Sequence, residues 1–235
     1  MKVPLFRRQF LGLFACGASL LFSSQSVAQT QTRPVVVIDP GHPSETSAGA
    51  NVGGLSENLI NWQVANLMKP LLEARGMRVI LTKTSLNQRV TNRQRAEIAN
   101  RAGARLFVRL HCDVGGGSGF AWYYPDRIGR KGGVVGPPAN VIRESRIAAQ
   151  TLNETMKPIL KPYLRSNPLK TDAQTYVGRK QGGVLTGSIY AKVPTALIEM
   201  VFLNNRNDAR FIATPNGRKW MATAIARGIE AYVKR

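Results

Sequence analysis

Apolar runs of strand length alternate with amphipathic segments of helix length along the first half of the chain. The run 35–38 is short and β-branched, which is typical of a strand buried on both faces. Apolar residues then recur at helical spacing over 60–72, and a second strand is predicted over 77–83. A basic amphipathic helix over 87–104 and a third strand over 105–111 complete this half.

The second half continues the alternation less regularly. A fourth strand is predicted over 119–125 and a helix over 141–160. The stretch 126–140 between them is so rich in Gly and Pro that we expect only loop. A further buried strand is predicted over 195–203 and a closing helix over 217–235. The segment before that last strand is expected to hold short strands and loops.

The order strand, helix, strand, helix, strand favours right-handed crossovers and parallel pairing of the core strands. The predicted fold class is therefore α/β: a single layered domain with a central, mostly parallel twisted sheet and helices on both faces. This domain is predicted to span residues 35–235, after a polar linker over 29–34. We expect no internal repeat and no second domain.

Residues 1–28 have the layout of an export signal, with a basic start, an apolar middle and a small-residue end. The pair Arg7 and Arg8, followed by Gln-Phe-Leu, resembles a twin-arginine signal, and an ordinary secretory signal is the alternative. The protein is therefore expected to be exported to the periplasm or another part of the cell envelope.

The chain is strongly basic, and this charge indicates which classes of molecule the protein can bind. The formal net charge of +20 falls to +17 once the export signal, with three basic residues and no acid, is removed. Such a surface favours polyanions, here anionic wall polymers or lipid head groups, and basic residues kept only for solubility are the alternative. We expect no nucleic-acid partner, because the chain has an export signal and does not interleave aromatic with basic residues.

Three chemistry-bearing residues stand where predicted strands end. His42 follows the first strand, His111 closes the third, and Glu199 lies in the otherwise apolar last strand. Sites in parallel α/β sheets form at the carboxyl ends of the strands, so these side chains are expected at one edge. A buried carboxylate is costly unless it is paired or metal-bound. Two satisfied structural histidines are the alternative to a metal site.

A third metal ligand is then needed, since two imidazoles and one carboxylate make a catalytic zinc site with an open position. Glu57 is the best candidate, because it stands directly before the first helix, 15 residues after His42. Asp39, Glu45 and Asp113 remain open as alternatives.

Four motifs resemble a known family. The segments "VVVIDPGH", "GLSEN", "RAEIANRAGARLFVRLHCD" and "VPTALIEMVFLNNRNDARFI" occur in this order from about residue 35 to the end. Together they resemble the zinc-dependent N-acetylmuramoyl-L-alanine amidases, which are bacterial cell-wall hydrolases. The resemblance implies cleavage of the amide between N-acetylmuramic acid and the L-alanine of the stem peptide of peptidoglycan. A stem-peptide carboxypeptidase and a non-catalytic wall-binding module are the alternatives.

The resemblance also implies residue roles. One Zn²⁺ ion would be held by His42, Glu57 and His111, and Glu199 would act as general base and acid. Departures from the family pattern fall at Pro43, Asp113 and Met200. They are expected to change which substrates are accepted but not the class of reaction. Met200 is also expected to narrow the space beside Glu199. None of them removes a ligand.

The expected partners are peptidoglycan, anionic wall polymers through the basic surface, and a protein activator, with the protein itself a monomer. Some members of the family are held inactive by an inserted helix that an activator displaces. The glycine-rich stretch 126–140 favours no such helix, and residues 139–163 are the segment able to supply one. Arg127, Arg130 and Lys131 are the basic residues best placed to contact a polymer.

Other polar and aromatic residues receive structural interpretations. Asp39, before Pro-Gly, is expected to cap a turn. The arginines of the second helix are expected on its solvated face: Arg89, Arg93, Arg95 and Arg101. Cys112 is interpreted as a small buried thiol, and Trp122, Tyr123 and Tyr124 are expected to pack mainly in the core.

Overall fold

The computed structural model of the protein describes Met1 and residues 33–235. Residues Arg33–Arg235 form one unit. The predicted export signal beyond Met1, and most of the predicted linker, lie outside the described residues. Among the described residues, no helix has the length and apolar character that a membrane crossing requires.

The strands build one central sheet and two small hairpins. Their bounds in chain order are β1 Val35–Pro40, β2 Asn51–Val52, β3 Leu55–Ser56, β4 Arg78–Leu81, β5 Leu106–Asp113, β6 Ala121–Tyr124, β7 Gly129–Lys131, β8 Val134–Gly136, β9 Lys170–Thr171 and β10 Thr195–Phe202. The central sheet has the order β4-β1-β5-β10-β6-β9. Its first four strands are parallel, and β6 runs antiparallel to β10. This confirms the predicted mostly parallel sheet.

Helices cover both faces of this sheet, as predicted. They are α1 Glu57–Glu73, α2 Asn92–Arg101, α3 Ala139–Leu160, α4 Tyr176–Lys180, α5 Thr186–Ile189, α6 Arg206–Ala213 and α7 Pro215–Val233. The long helices α1, α3 and α7 pack on one face and share the larger apolar core with it. Helix α2 packs with a smaller apolar cluster on the other face.

Local sequence signals fix the helix starts that matter for the site. Ser56 caps α1 by accepting from the Leu59 backbone N–H, which makes Glu57 the first helical residue. Thr91 and Gln94 form a reciprocal capping box at the start of α2. These caps place the first turns of both helices beside the carboxyl ends of β1 and β5.

Two predictions about local structure were wrong, and one helix was missed. The glycine-rich stretch 126–140 contains the β7–β8 hairpin rather than loop alone, because paired backbone groups can form a hairpin without an apolar pattern. The segment before β10 contains the short helices α4 and α5 in addition to β9. Helix α6 was not predicted, since its eight residues bury only Asp208 and Ile212.

Candidate functional site

His42 lies in a tight loop two residues beyond β1. Its φ of 64° is in the left-handed region, which is uncommon for any residue with a Cβ atom. Gly41 before it leaves no room for a side chain, because a Cβ there would lie 2.5 Å from Cε1 of His111 and 2.7 Å from the Leu110 carbonyl oxygen. The loop therefore brings His42 close against the end of β5.

The hydrogen bond made by Nδ1 of His42 determines which ring nitrogen faces Glu57. Nδ1 lies 3.2 Å from the Ser47 carbonyl oxygen. A carbonyl oxygen only accepts, so Nδ1 carries a proton and Nε2 is the ring nitrogen left to face Glu57. Nε2 faces Oε1 of Glu57 at 3.1 Å.

Glu57 is buried at the first turn of α1. Its Oε2 accepts from the Ala50 backbone N–H at 2.9 Å, and its Oε1 accepts from the Cys112 N–H at 3.2 Å. Burial alone raises the pKa of this carboxyl, but hydrogen bonds from His111 and His42 outweigh it and hold the pKa well below its usual range. The side chain is therefore a carboxylate at neutral pH.

His111 lies in β5 and completes the cluster. Its Nδ1 is 3.1 Å from Oε1 of Glu57, and its ring meets that of His42 edge-on at 4.9 Å. Burial lowers the pKa of His111, so the neutral imidazole, the form that binds metals, predominates at pH 7. Its Nε2 is buried and has no hydrogen-bond partner in the described part of the chain.

The three residues have the donor set of a metal site. Donor atoms of His42, Glu57 and His111 lie within 4.8 Å of one another. Two imidazoles and one carboxylate are the ligands of many catalytic zinc sites. The residues present therefore fit a divalent cation.

Glu199 lies beside this cluster on the next strand. It pairs in register with His111, so both side chains leave the same face of the sheet. Burial raises the pKa of Glu199, and the negative charges of Glu57 and Asp113 raise it further. Its Oε2 is buried and has no hydrogen-bond partner within residues 33–235.

A cavity of about 720 Å³ joins the cluster to Glu199. One wall is formed by a segment that the sequence pattern left unassigned, around α4, including Tyr176, Val177 and Arg179. Tyr176 is 65% exposed and Val177 45% exposed at the mouth of the cavity. The cavity is therefore open enough to admit a substrate, with polar groups at its base.

The sequence profile of the N-acetylmuramoyl-L-alanine amidase family matches residues 36–231. The chain belongs to this family. The predicted family and the peptidoglycan amide hydrolysis that goes with it are thereby confirmed. The amidase has relatives in several bacteria: it is 25% identical to the amidase AmiA of Salmonella typhimurium over 244 residues, which cover 89% of this chain and 80% of AmiA.

One further relative and two solved structures are also similar to this chain. The amidase CwlM of Bacillus licheniformis is 31% identical over 198 residues, which cover 83% of this chain and 66% of CwlM. The solved structure of the amidase AmiC2 of Nostoc punctiforme superposes with a TM-score of 0.66 at 27% identity, covering 86% of this chain and 98% of that one. The solved structure of Ami1 of Mycobacterium smegmatis shares the fold, with a TM-score of 0.71 at 21% identity over 86% of this chain and 97% of that one.

The other acidic candidates lie outside the cluster of the amidase. Glu45 accepts from the backbone N–H and side-chain amide of Asn92 at the start of α2. Asp113 lines the cavity and accepts from the Val114 N–H. Asp39 is fully buried and paired with arginines. Of the carboxylates proposed as third ligand, the structure brings only Glu57 to the two histidines.

Asp39 does not cap a turn, which corrects the sequence interpretation. It accepts from Thr82 and forms ion pairs with Arg95 and with Arg109, the latter at 3.0 Å. Arg95 is fully buried rather than on a solvated face. Its guanidinium also donates to the carbonyl oxygens of Pro40 and Pro43 at 2.9 and 2.8 Å. Through these two hydrogen bonds, the buried network stabilises both ends of the loop that carries His42.

Lys83 stabilises the middle of the same loop by hydrogen bonding to its backbone. Its ammonium group donates to the His42 carbonyl oxygen, to Oδ1 of Asn58 at 2.7 Å and to the Leu86 carbonyl oxygen at 2.9 Å. Burial lowers the pKa of Lys83 to about 8. Lys83 and Arg95 together hold the backbone that places His42 in its left-handed conformation.

Replacing Lys83 is expected to weaken metal binding without removing a ligand. Lys83→Met leaves the His42 carbonyl unpartnered, so the ring is less well oriented, and the metal affinity should fall by about 10–100-fold. A competition titration against a coloured chelator measures this. Lys69→Met, which removes a lysine that pairs with Glu73 on the surface of α1, is the control. Equal metal affinities of Lys83→Met and the control would contradict the orienting role.

One expectation about the surroundings of the site, the one on Met200, is corrected. Met200 does not narrow the space beside Glu199, because neighbouring residues of a strand point to opposite faces and Met200 is buried in the larger core. Residues 139–163 do not form an inhibitory helix: α3 buries its apolar side against α7 and the sheet, and no residue of 139–163 lines the cavity.

The core interpretations of other residues hold. Cys112 is buried, and Trp122 and Tyr123 pack inside, with Tyr124 half-buried. The buried role of Arg95 was missed, although one signal was available. Arg109 interrupts an otherwise apolar strand, and a charged residue in a buried strand requires an oppositely charged partner nearby.

Proposed function

We propose that the amidase is a one-zinc enzyme in which His42, Glu57 and His111 hold the ion and Glu199 moves the proton. The observation that supports this most directly is the position of the His42, Glu57 and His111 cluster relative to Glu199. Two imidazoles and a carboxylate converge on one side. Glu199 on the adjacent strand lines the same cavity, and its Oε2 has no hydrogen-bond partner within residues 33–235. The reaction is hydrolysis of the amide between N-acetylmuramic acid and L-alanine.

A zinc ion held by these three residues would supply a Lewis acid that polarises the scissile carbonyl and lowers the pKa of a water towards ~7. Glu199 accepts one proton as water adds to the carbonyl carbon, and returns it to the nitrogen of L-alanine as the C–N bond breaks. The burial that raises its pKa suits a group that must hold a proton between these two steps. The products are a lactyl carboxylate and a free amine.

We further propose that residues 1–28 direct export through the twin-arginine route, so that the amidase meets peptidoglycan in the cell envelope. The net charge of +17 expected after removal of this segment supports contact with anionic wall polymers. Arg127 lies two residues before β7 and Lys131 ends β7, and both are exposed, as such contact requires. The amidase is proposed to act as a monomer.

Digestion of isolated peptidoglycan, followed by mass spectrometry, tests the proposed chemistry. We expect intact stem peptides with a free L-alanine amine, and we expect their loss when a chelator strips the metal. Restored activity on adding Zn²⁺ would identify the ion. The variant His111→Ala should lose bound metal and activity together, because it removes one of three ligands.

Two outcomes would contradict the proposal. Shortened peptides still attached to the sugar would indicate a carboxypeptidase on this scaffold. Chelator-resistant release of intact stem peptides would rule out the metal role while leaving the amidase reaction in place. The variant Arg101→Gln, at an exposed position at the end of α2, is the control and should behave as the unmodified protein.

A further inference from the structure

Three aromatic side chains pack together at the surface where α3, α6 and α7 meet. The ring centroids of Tyr163 and Phe211 are 5.5 Å apart with planes inclined by 30°, and those of Tyr163 and Trp220 are 5.7 Å apart with planes inclined by 32°. Tyr163 is 45% exposed and Trp220 is 44% exposed. We call these three residues the aromatic ladder. Exposed aromatic residues that cluster in this way are typical of an interaction surface.

Basic residues accompany the ladder and acidic ones do not. Five basic residues stand within two positions of a ladder residue, and no acid does: Lys161, Arg165, Arg210, Arg218 and Lys219. Within residues 33–235, none of the five pairs with a carboxylate. The nearby Asp208 is buried and its Oδ2 accepts from the backbone N–H groups of Gly119 and Phe202. The segments that carry the ladder therefore bring five basic residues to this surface, and the one nearby acid, Asp208, is buried and interacts with Arg165.

The ladder lies at the same edge of the sheet as the cavity. The Phe120 N–H, directly before β6, donates to the Arg165 carbonyl oxygen at 3.0 Å. Since β6 runs antiparallel to β10, its beginning lies beside the carboxyl end of β10, where Glu199 and Phe202 line the cavity. Phe202 is in turn bonded to Asp208 of α6, three residues before Phe211. A linear polymer that enters the cavity can therefore continue towards the ladder along one edge.

We propose that the aromatic ladder and its basic residues bind the glycan strand of peptidoglycan beyond the stem peptide that is being cleaved. This rests on the proposed function, because it takes its ligand from that reaction. Sugar rings present apolar C–H faces that pack on exposed aromatic rings. Each hydrolysis leaves a lactyl carboxylate on its muramic acid, so a digested strand becomes a polyanion that the basic residues attract. The surface thus holds the amidase on the strand that it has begun to strip.

Binding to stripped glycan strands tests this surface. The protein carries Glu199→Gln in all measurements so that no ligand is consumed. The double variant Tyr163→Ala/Trp220→Ala should weaken binding by about tenfold or more, as the loss of aromatic anchors does elsewhere. The double variant Lys161→Gln/Lys219→Gln should weaken it less, and mainly at low ionic strength. Neutral chitin oligosaccharides of equal length should bind more weakly than the stripped strands.

Matched controls are available in the chain. Leu67→Ala removes apolar surface from a residue that is 37% exposed on α1, and Arg101→Gln removes an exposed charge from α2. Neither should change the dissociation constant. Thermal unfolding and metal content show whether the ladder variants remain folded.

Three results would overturn the proposal. One is equal affinity of the ladder variant and its parent for stripped strands. The second is binding only to vesicles of phosphatidylglycerol, which would assign the surface to a membrane. The third is dissociation of a dimer by the ladder variant, which would assign it to self-association. Absence of turnover of a soluble muropeptide by the unmodified protein, with glycan binding intact, would instead overturn the proposed function.

Discussion

Glu199→Gln is expected to lower kcat for muropeptide hydrolysis by about 10²–10⁴-fold while the metal content stays unchanged. Glutamine has nearly the same shape as glutamate but cannot take up the proton that the attacking water must lose. Oε2 of Glu199 has no hydrogen-bond partner in residues 33–235, so an amide there breaks no existing bond. The measurements are steady-state kinetics on a soluble muropeptide and metal analysis of the same preparation.

Glu154→Gln is the matched control for this change. Glu154 is an exposed carboxylate on α3, away from the cavity, so its loss should leave kcat and metal content as they were. Wild-type turnover in Glu199→Gln would contradict the proton-transfer role. Loss of the metal together with turnover would mean that Glu199 supports the metal cluster and does not act separately from it.

The parts of the fold that could be predicted are those with a one-dimensional signal. The core strands are mostly apolar runs of strand length, which is typical of strands buried on both faces of an α/β sheet. Because parallel strands align their carboxyl ends, the position of His42, His111 and Glu199 after or within such runs already placed them at one edge. The position of Glu57 could not be predicted from a strand pattern, because it depends on the residue at which α1 begins.

The parts that could not be predicted depend on pairs distant in sequence. Arg95 lies 56 residues from Asp39, and Arg109 lies 70 residues from it. A helical arginine gives the same pattern whether its helix side faces water or a buried acid, so Arg95 was assigned to the surface. The β7–β8 hairpin was missed for a different reason, because local backbone pairing between Gly129 and Gly136 forms it without an apolar pattern. Helix α6 was missed because it has only eight residues, of which two are buried.

Asp39→Ala is expected to lower the free energy of unfolding by about 3–5 kcal/mol, the usual cost of removing one partner from a buried ion pair. The change leaves the guanidinium groups of Arg95 and Arg109 buried without their carboxylate. Urea unfolding at pH 7 measures the loss. The control is Glu73→Ala, which breaks the exposed pair with Lys69 and should cost less than about 1 kcal/mol. Equal losses in the two variants would show that the buried network does not stabilise the fold.

The acid side of the stability curve separates the charge of Asp39 from its packing. Burial alone raises the pKa of this carboxyl, but Arg95 and Arg109, with a hydrogen bond from Thr82, hold the pKa well below its usual range. A group with such a lowered pKa stabilises the fold above its unfolded pKa of about 3.9, and the contribution is lost as the pH falls towards the folded value. The difference in unfolding free energy between wild type and Asp39→Ala should therefore shrink below about pH 4. A difference that stayed constant there would mean that the side chain stabilises the His42 loop by filling space, and that its ionisation contributes little.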